Sequence, residues 1–289
     1  MVGRESGREK FPLPFRGNPG CFCRLRMRPT LRKNLSLWWQ FTLRNVELRH
    51  KGSYLGFIWA VLNPLIMLAL YVLVFGYIFG GKFGTVPGEN AIDYGLGIFL
   101  GLALYNFASE VICVAPTVIA DNANFVKKVV FPLEVLPAST VGAAVVHLLI
   151  TLTLVAVGAV GFGRGLPASA PLLLVVLVPL ILGCLGLAWL FSALGVFLRD
   201  IRQVLPALTT GLMFASAIFY SHAKIPTTAW MFLRFNPMIH AVENARALML
   251  WGTPVHGYGL LYLYGTALLV LAFGWWTFRK LKPAFADVL

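Results

Sequence analysis

Long apolar stretches without charged residues dominate the chain, and polar residues fall mainly between them. Six stretches approach or exceed the roughly 20 residues that an α-helix needs to cross a bilayer, the fifth being the shortest. They lack the alternation of polar and apolar residues that is typical of membrane β-barrels, so we expect helices. The pattern predicts an all-α polytopic membrane protein with spans at residues 55–80, 95–120, 135–162, 171–198, 204–221 and 257–278.

The chain before the first span divides into a tail and a helix. Residues 1–30 are basic and lack the apolar core of a secretory signal, so we predict a disordered tail, with Met27 as an alternative start. In residues 31–54, polar residues recur at helical spacing opposite a face that contains Trp38 and Trp39. This pattern predicts an amphipathic interfacial helix with Arg44 on its polar face. A membrane anchor and a gating role fit this helix equally well.

Basic residues are unevenly distributed along the chain. Of the 24 Lys and Arg residues, 12 lie in residues 1–54, together with three acidic residues. With both termini in the cytoplasm, 19 basic residues lie on that side and five on the other, so we predict an N-in, C-in orientation. The net charge is +13, but only 12% of the residues are charged and the chain is apolar from residue 55 onward. Membrane lipids are therefore the expected partners, and nucleic acid is not.

A segment between the second and third spans is too short to cross the membrane but has a helical pattern. Residues 122–131 begin with polar residues and end before Pro132, which disfavours helical backbone at the preceding residue. The pattern predicts a short helix on the cytoplasmic face, where a soluble partner has access to it. A plain turn is the alternative.

A second short helix is predicted in the last outer loop. Asn236 followed by Pro237 is typical of a helix start, and the helical pattern continues to residue 250. We interpret residues 222–256 as re-entrant or lying on the outer surface, with Glu243 and Arg246 on the polar face of the helix. A pore-lining role and a packing role are both open.

Side chains for catalysis are sparse. Glu110 is an acid within a predicted span, and such an acid is a functional candidate unless it merely bonds a neighbouring helix. Gly76, Gly81 and Lys82 match the spacing of a phosphate-binding loop, but Phe83 replaces the Ser or Thr that would coordinate Mg²⁺. We therefore predict no catalytic residue, metal or cofactor in this chain. ATP and Mg²⁺ would belong to a partner.

Aromatic residues recur within the predicted spans. Rings can stack on sugar faces with few fixed polar contacts, although rings in membrane proteins also pack between helices or face lipid. Gly97 and Gly101, at GxxxG spacing, favour close helix packing. With Glu110, the candidates for a channel lining are Tyr71, Phe75, Tyr105, Phe214, Phe219 and Tyr220.

Four stretches carry a family resemblance: RHKGSYLGFIWAVLNPL, NANFVKKVVFPLEVLP, FLRDI and RFNPMIHAVENARALMLWG. Together they resemble the permease subunits of type-2 ABC exporters for polysaccharides, the family that handles O-antigen, capsule and teichoic acid. The resemblance covers most of the chain from about residue 31. The basic extension before it departs from the family pattern.

The resemblance implies a six-span subunit of the bacterial cytoplasmic (inner) membrane. Such subunits form homodimers, bind two copies of a separate ATP-binding subunit and pass a lipid-linked glycan through the dimer interface. Trp38, Trp39 and Arg44 would belong to a gate helix, and residues 236–250 to the re-entrant outer helices. An exporter of drugs or small lipids and an ion-coupled carrier are the alternatives. The helix that couples to the ATPase would contain Asn122, Asn124, Phe125, Lys127, Lys128 and Phe131, followed by Pro132.

Overall fold

The computed structural model describes residues 27–50, 58–85, 87–128, 132–255 and 257–289, without the side chains of 27–33, 49, 50, 126–128 and 223. Regular structure in these ranges is helical. Two π-helical segments, Val72–Ile78 and Ala247–Trp251, extend the α-helices that end at Tyr71 and Arg246. The helices are α1 (Met27–His50), α2 (Trp59–Tyr71), α3 (Ala91–Asp121), α4 (Ala123–Lys128), α5 (Val135–Gly161), α6 (Leu173–Phe197), α7 (Ile201–Ala215), α8 (Thr227–Leu233), α9 (Pro237–Arg246), α10 (Gly257–Leu281) and α11 (Phe285–Val288).

Five helical segments of the described chain are long and apolar enough to cross a membrane. Four of these segments closely match predicted apolar stretches, and the fifth matches the described part of the first stretch. The match is expected, because a helix of this length satisfies its own backbone hydrogen bonds in hydrocarbon. The predicted all-α polytopic fold class is confirmed. The five segments are Trp59–Ile78, Ala91–Asp121, Val135–Gly161, Ala170–Phe197 and Gly257–Val288.

Helix α3 forms the centre of the bundle. It is apolar around most of its circumference and packs against α5, α6, α7 and α9. Glycines allow the backbones to meet: a Cβ atom at Gly195 of α6 would overlap the Pro116 carbonyl of α3. At the predicted cytoplasmic end, Phe278 and Phe285 are fully buried in a smaller apolar cluster that closes the bundle.

The segment predicted as the fifth span differs from a continuous helix. Helix α7 is 15 residues long and ends at Ala215, and residues 216–221 form turns. Fifteen helical residues are fewer than the roughly 20 that cross a bilayer. The crossing predicted for residues 204–221 therefore stays a prediction.

Helix α1 packs against α5 along the side that contains Trp38 and Thr42. It begins at Met27, so residues 27–30, predicted as part of the tail, are helical, and residues 1–26 lie outside the described chain. The Trp38 Nε1–H donates a hydrogen bond to the Ala138 carbonyl at 2.9 Å, and Thr42 is 1% exposed. Trp39, assigned to the same apolar face by the sequence pattern, is instead exposed.

Candidate functional site

Helix α9 begins as its sequence predicts and then turns its polar side chains inward. The Asn236 Oδ1 accepts the Met238 N–H at 3.0 Å, and Pro237 occupies the first turn, where no hydrogen bond is lost. Glu243 and Arg246, expected on a polar face, are 9% and 0% exposed. A buried charge requires hydrogen-bonding partners, so the surroundings of Arg246 define the site.

The guanidinium of Arg246 binds backbone carbonyls from two other parts of the chain. Its Nε–H donates to the Gly97 carbonyl of α3 at 2.9 Å, and its Nη1–H to the Ala217 carbonyl at 2.9 Å. Its Nη2–H donates to the Ile218 carbonyl. The Glu243 carboxylate lies 3.8 Å from Nη1, and the Phe83 ring centroid lies 4.2 Å from Cζ. One side chain thus joins α3, α9 and the chain after α7.

The paired glycines of α3 make room for this arginine. A Cβ atom at Gly97 would lie 2.6 Å from the Phe83 ring, and one at Gly101 would lie 3.0 Å from Arg246 Nη2. Both distances are shorter than normal carbon contacts, so a larger residue would displace the guanidinium or the ring beneath it. The two glycines at GxxxG spacing are closely packed. The groups that pack against them are the side chains of Phe83 and Arg246.

The carbonyl groups at the end of α7 receive hydrogen bonds from side chains. The last four carbonyls of a helix lack partners within the helix, and leaving them bare in an apolar environment is costly. Here Ser216 Oγ donates to Leu212 O at 2.5 Å, Tyr220 Oη to Phe214 O at 2.6 Å and Asn236 Nδ2 to Ala215 O at 3.0 Å. This explains how the helix ends at Ala215 within an apolar stretch.

The chain after α7 is held in an uncommon backbone conformation. Ala217 has φ of 51°, in the left-handed region that residues with a Cβ atom rarely adopt. The Tyr94 hydroxyl of α3 donates to the Phe219 carbonyl at 2.8 Å, next to the two carbonyls that bind Arg246. Strain of this kind persists where surrounding contacts determine the backbone.

A histidine–carboxylate pair lies beside the arginine. His222 Nδ1 is 3.3 Å from Glu243 Oε2, and this contact raises the pKa of His222 more than partial burial lowers it. Burial works to raise the pKa of Glu243, but His222 and Arg246 together lower it below its ordinary value. Burial lowers the pKa of Arg246 to about 10 against the opposing charge of Glu243, so the guanidinium stays charged at neutral pH.

We expect the stability of the protein in detergent to depend on the pH through His222. Because the folded state raises the His222 pKa above 6.5, the stabilisation is complete below about pH 6.5 and is lost as the pH rises through the folded value. The effect is small, since the His222 side chain is 40% exposed and water screens the pair. Thermal unfolding at about pH 6 and about pH 8 measures it.

The variant H222Q is the control for this pH dependence. Glutamine keeps a hydrogen-bonding side chain but does not titrate, so the decrease in unfolding temperature from about pH 6 to about pH 8 should become smaller. An equal decrease in the variant and the wild type would show that another group is responsible.

Several predicted channel residues form an aromatic cluster between the first span and the end of α7. The Phe75 ring centroid lies 6.1 Å from that of Tyr71 and 5.3 Å from that of Phe219. The ring centroids of Phe219 and Phe214 are 6.2 Å apart, and the Tyr220 hydroxyl donates a hydrogen bond to the Phe214 carbonyl. Tyr105 is separate from this cluster, since it is buried in the core around α3.

A cavity of about 410 Å³, lined by both polar and apolar residues, lies between α1, α3 and α5 at the predicted cytoplasmic end. Arg44, predicted for the gate helix, and Glu110, predicted for the channel, both line it. Asn45 Nδ2 donates to Ser139 Oγ at 3.0 Å at its edge. The structure therefore brings together two predicted residues that lie on separate sequence segments, and it places Glu110 apart from the aromatic cluster.

The segment predicted to couple to an ATPase contacts α1. Asn122 Nδ2 donates to the Val118 carbonyl at 2.8 Å, Asn124 is exposed, and the Phe125 ring lies 5.6 Å from that of Phe41. Beyond Pro132, Glu134 binds Lys282 at 2.8 Å. The side chains of Lys127 and Lys128, and all of Phe131, lie outside the described residues.

Sequence reasoning missed the residues that surround Arg246. Tyr94, Ala217 and Phe219 contribute through a hydroxyl group or backbone carbonyls, and no motif marks such groups. In the sequence, Phe83 only served to exclude a phosphate-binding loop. In the structure, its ring packs beneath the Arg246 guanidinium. A charged residue close to a run of apolar residues was the signal available, because such a charge must find partners inside the protein.

These observations define a multi-pass helical membrane protein with a helix before its first span and a helix break after Ala215 that is stabilised by buried side-chain hydrogen bonds. The family model of ABC-2 type transporters matches residues 36–250, and the chain belongs to this family. It is a multi-pass protein of the bacterial cytoplasmic membrane.

The chain is similar to several curated proteins over most of their lengths. An O-antigen export system permease protein RfbA of Klebsiella pneumoniae is 27% identical over 257 residues, covering 86% of this chain and 93% of the relative. The protein of that name from Myxococcus xanthus is 27% identical over 71% of this chain and 76% of its own. The polysialic acid transport protein KpsM of Escherichia coli is 27% identical over 84% and 92%.

Proposed function

We propose that this chain is the permease subunit of an ATP-driven exporter that moves a lipid-linked polysaccharide from the cytoplasmic to the outer face of the membrane. The observation that carries the proposal is the similarity, along nearly the whole chain, to permeases named for O-antigen export and polysialic acid transport. These names describe polysaccharide cargo, which favours a glycan over the drugs or small lipids of the rival proposal. An ion-coupled carrier has less support, since Glu110 is the acid that lies in the interior of the described spans, away from their ends.

The channel in this proposal lies between two copies of the chain. Helix α2 with its π-helical extension is barely buried within one chain, and most of α7 is exposed. Two such helices offer a surface for a second copy in a homodimer. The aromatic cluster around Phe75 and Phe219 would form the wall on which sugar faces stack.

ATP hydrolysis takes place in a separate subunit, two copies of which bind the dimer. Their closure pushes on the coupling helix, residues 122–131, and tilts α2 and α7. The contact between Phe125 and Phe41 supports this route, because it links the coupling segment directly to α1. Helix α1 acts as the gate helix in this mechanism, with Trp38 fixed to α5 and Trp39 exposed at its outer edge.

We expect the simultaneous change of Lys127, Lys128 and Phe131 to alanine to uncouple transport. The ATPase subunit would lose its charged and aromatic contacts with the permease, so ATP hydrolysis would no longer move glycan. Glycan transport into vesicles containing the purified complex measures this, and export at the wild-type rate would contradict the assignment. The double change of Lys82 and Lys224 to alanine, both exposed at the predicted outer end, removes the same two positive charges and is the charge-matched control.

The first experiment is a mild-detergent purification from native membranes, followed by mass spectrometry. The proposal expects a soluble subunit with a phosphate-binding loop in stoichiometric amounts. Repeated isolation without an ATPase would remove the basis for coupling, and a carrier that uses Glu110 would then be tested. If the ATPase is present but vesicles transport a small lipid and no glycan, the rival exporter is correct.

A further inference from the structure

We propose that Arg246 is a positioning residue that fixes the outer end of α7 to α3 and α9, so that α7 pivots about this end during transport. The inference rests on the proposed function, because only a transporter needs α7 to move. It concerns a role that neither the family membership nor the names of the relatives assign.

Three separate parts of the chain meet at the Arg246 side chain. Arg246 donates to Gly97 of α3 and to Ala217 and Ile218 after α7, while it belongs to α9 itself. A guanidinium has five N–H donors in one plane, so it can hold carbonyls from two segments at fixed relative positions. A movement of the outer end of α7 away from α3 would break these hydrogen bonds in a fully buried site.

Neighbouring side chains fix the same segment from other directions. Tyr94 of α3 donates to the Phe219 carbonyl, and Asn236 before α9 donates to the Ala215 carbonyl. The Ala217 backbone is kept in the left-handed region, which an unrestrained alanine would leave. The outer end is therefore fixed by α3 and by both ends of α9.

Helix α7 itself has few buried residues along its length. Within this helix only Leu205 and Thr209 are buried, and Arg202, Gln203 and Val204 are exposed. Few buried contacts mark the part of a structure that moves most easily. A push from the predicted cytoplasmic side would therefore rotate α7 about the end that Arg246 holds.

The test uses the complete complex of the permease and its ATPase, reconstituted in vesicles with lipid-linked glycan extracted from the same membranes. We expect R246Q to reduce glycan transported per ATP hydrolysed by more than about tenfold, because three hydrogen bonds from a charged donor are lost. R246K, with a charge but no planar fork, should restore part of it. R234Q, the same change at an exposed arginine of the outer loop, should transport as the wild type does.

The position of the outer end is measured separately by labelling. Ile218 is fully buried, so a cysteine in the variant I218C should stay unlabelled by a water-soluble maleimide with and without ATP. In the double variant I218C/R246Q, this cysteine should become labelled. Labelling of I218C during ATP hydrolysis in the presence of Arg246 would overturn the inference. This measurement does not depend on the cargo, so it also decides the inference if the wild-type complex moves no glycan, a result that would refute the proposed function alone.

The pivoting of α7 is tested with a reversible cross-link. Cys113 Sγ of α3 lies 3.7 Å from Thr209 Oγ1, so T209C places a second thiol beside a native one. Oxidation should stop transport and a reductant should restore it, whereas C113S/T209C should be unaffected. Full transport by the oxidised variant would overturn the pivot.

A variant with a smaller change covers the case in which R246Q fails to assemble. Y94F removes only the hydroxyl group that bonds the Phe219 carbonyl and keeps the ring beside Phe83. We expect transport per ATP to fall by about threefold, in line with the loss of one hydrogen bond. Transport at the wild-type ratio in both Y94F and any assembled Arg246 variant would overturn the inference.

Discussion

Gly274→Val is expected to abolish the folded protein, because α6 and α10 cross with their backbones in contact at this residue. A Cβ atom at Gly274 would overlap the carbonyl oxygen of Gly186, and one at Gly186 would lie 2.5 Å from the Val270 carbonyl oxygen. Backbone atoms cannot rotate away as side-chain ends do, so the two helices would have to separate. We expect a loss of about 3 kcal/mol or more in the free energy of unfolding.

The measurement for Gly274→Val is the yield of monodisperse protein in detergent and its unfolding temperature. Gly265→Val is the matched control on the same helix, since no described atom lies within 4 Å of its Cβ position. This control should give near wild-type yield. Equal behaviour of the two variants would mean that the crossing of α6 and α10 does not determine stability.

Gly142→Leu is expected to release α1 from the bundle while the spans stay folded. A Cβ atom at Gly142 of α5 would lie 2.6 Å from Thr42 Oγ1 and 2.9 Å from Trp38 Cζ2. Thr42 is buried and its β-branched side chain has few alternative rotamers, so it cannot rotate away from the added side chain. The clash would break the hydrogen bonds from Trp38 to Ala138 and from Asn45 to Ser139.

Hydrogen exchange of residues 34–48 measures the release of α1, and glycan transport measures its consequence for the proposed gate. We expect fast exchange in α1, unchanged protection in α6 and α10, and loss of transport by more than about tenfold. Gly161→Leu is the control on the same helix, because no described atom lies within 4 Å of its Cβ position. Slow exchange of α1 in the Gly142 variant would contradict the prediction.

The main spans could be predicted from the sequence because their signal is local. Residues 95–120, 135–162, 171–198 and 257–278 were expected as helices, and α3, α5, α6 and α10 cover them to within a few residues, with α10 extending to Leu281. An apolar stretch in hydrocarbon must satisfy its backbone within the helix, so composition and length are sufficient. The helix start at Asn236 is local for the same reason, since a cap bonds a residue two positions away.

The site around Arg246 could not be predicted in the same way. Its position in a polar sequence context suggested a face toward water, and its partners are carbonyls 28 to 149 residues away in the chain. The break after Ala215 is only partly local, because residues 204–221 are apolar enough to continue as a helix. Side chains from α3 and α9 stabilise the break, and only the packed bundle brings them together.

The sequence by itself determined the membrane class of this protein, the positions of its main spans and the presence of a helix before the first of them. Each of these follows from hydrophobicity and hydrogen-bonding rules that act within a few turns of helix. The tertiary structure alone decided which residues meet: Arg44 with Glu110 at one cavity, Phe75 with Phe219, and Arg246 with the end of α7. These contacts depend on how the helices cross, because close approach at glycines and buried polar groups sets the distances between segments far apart in the chain.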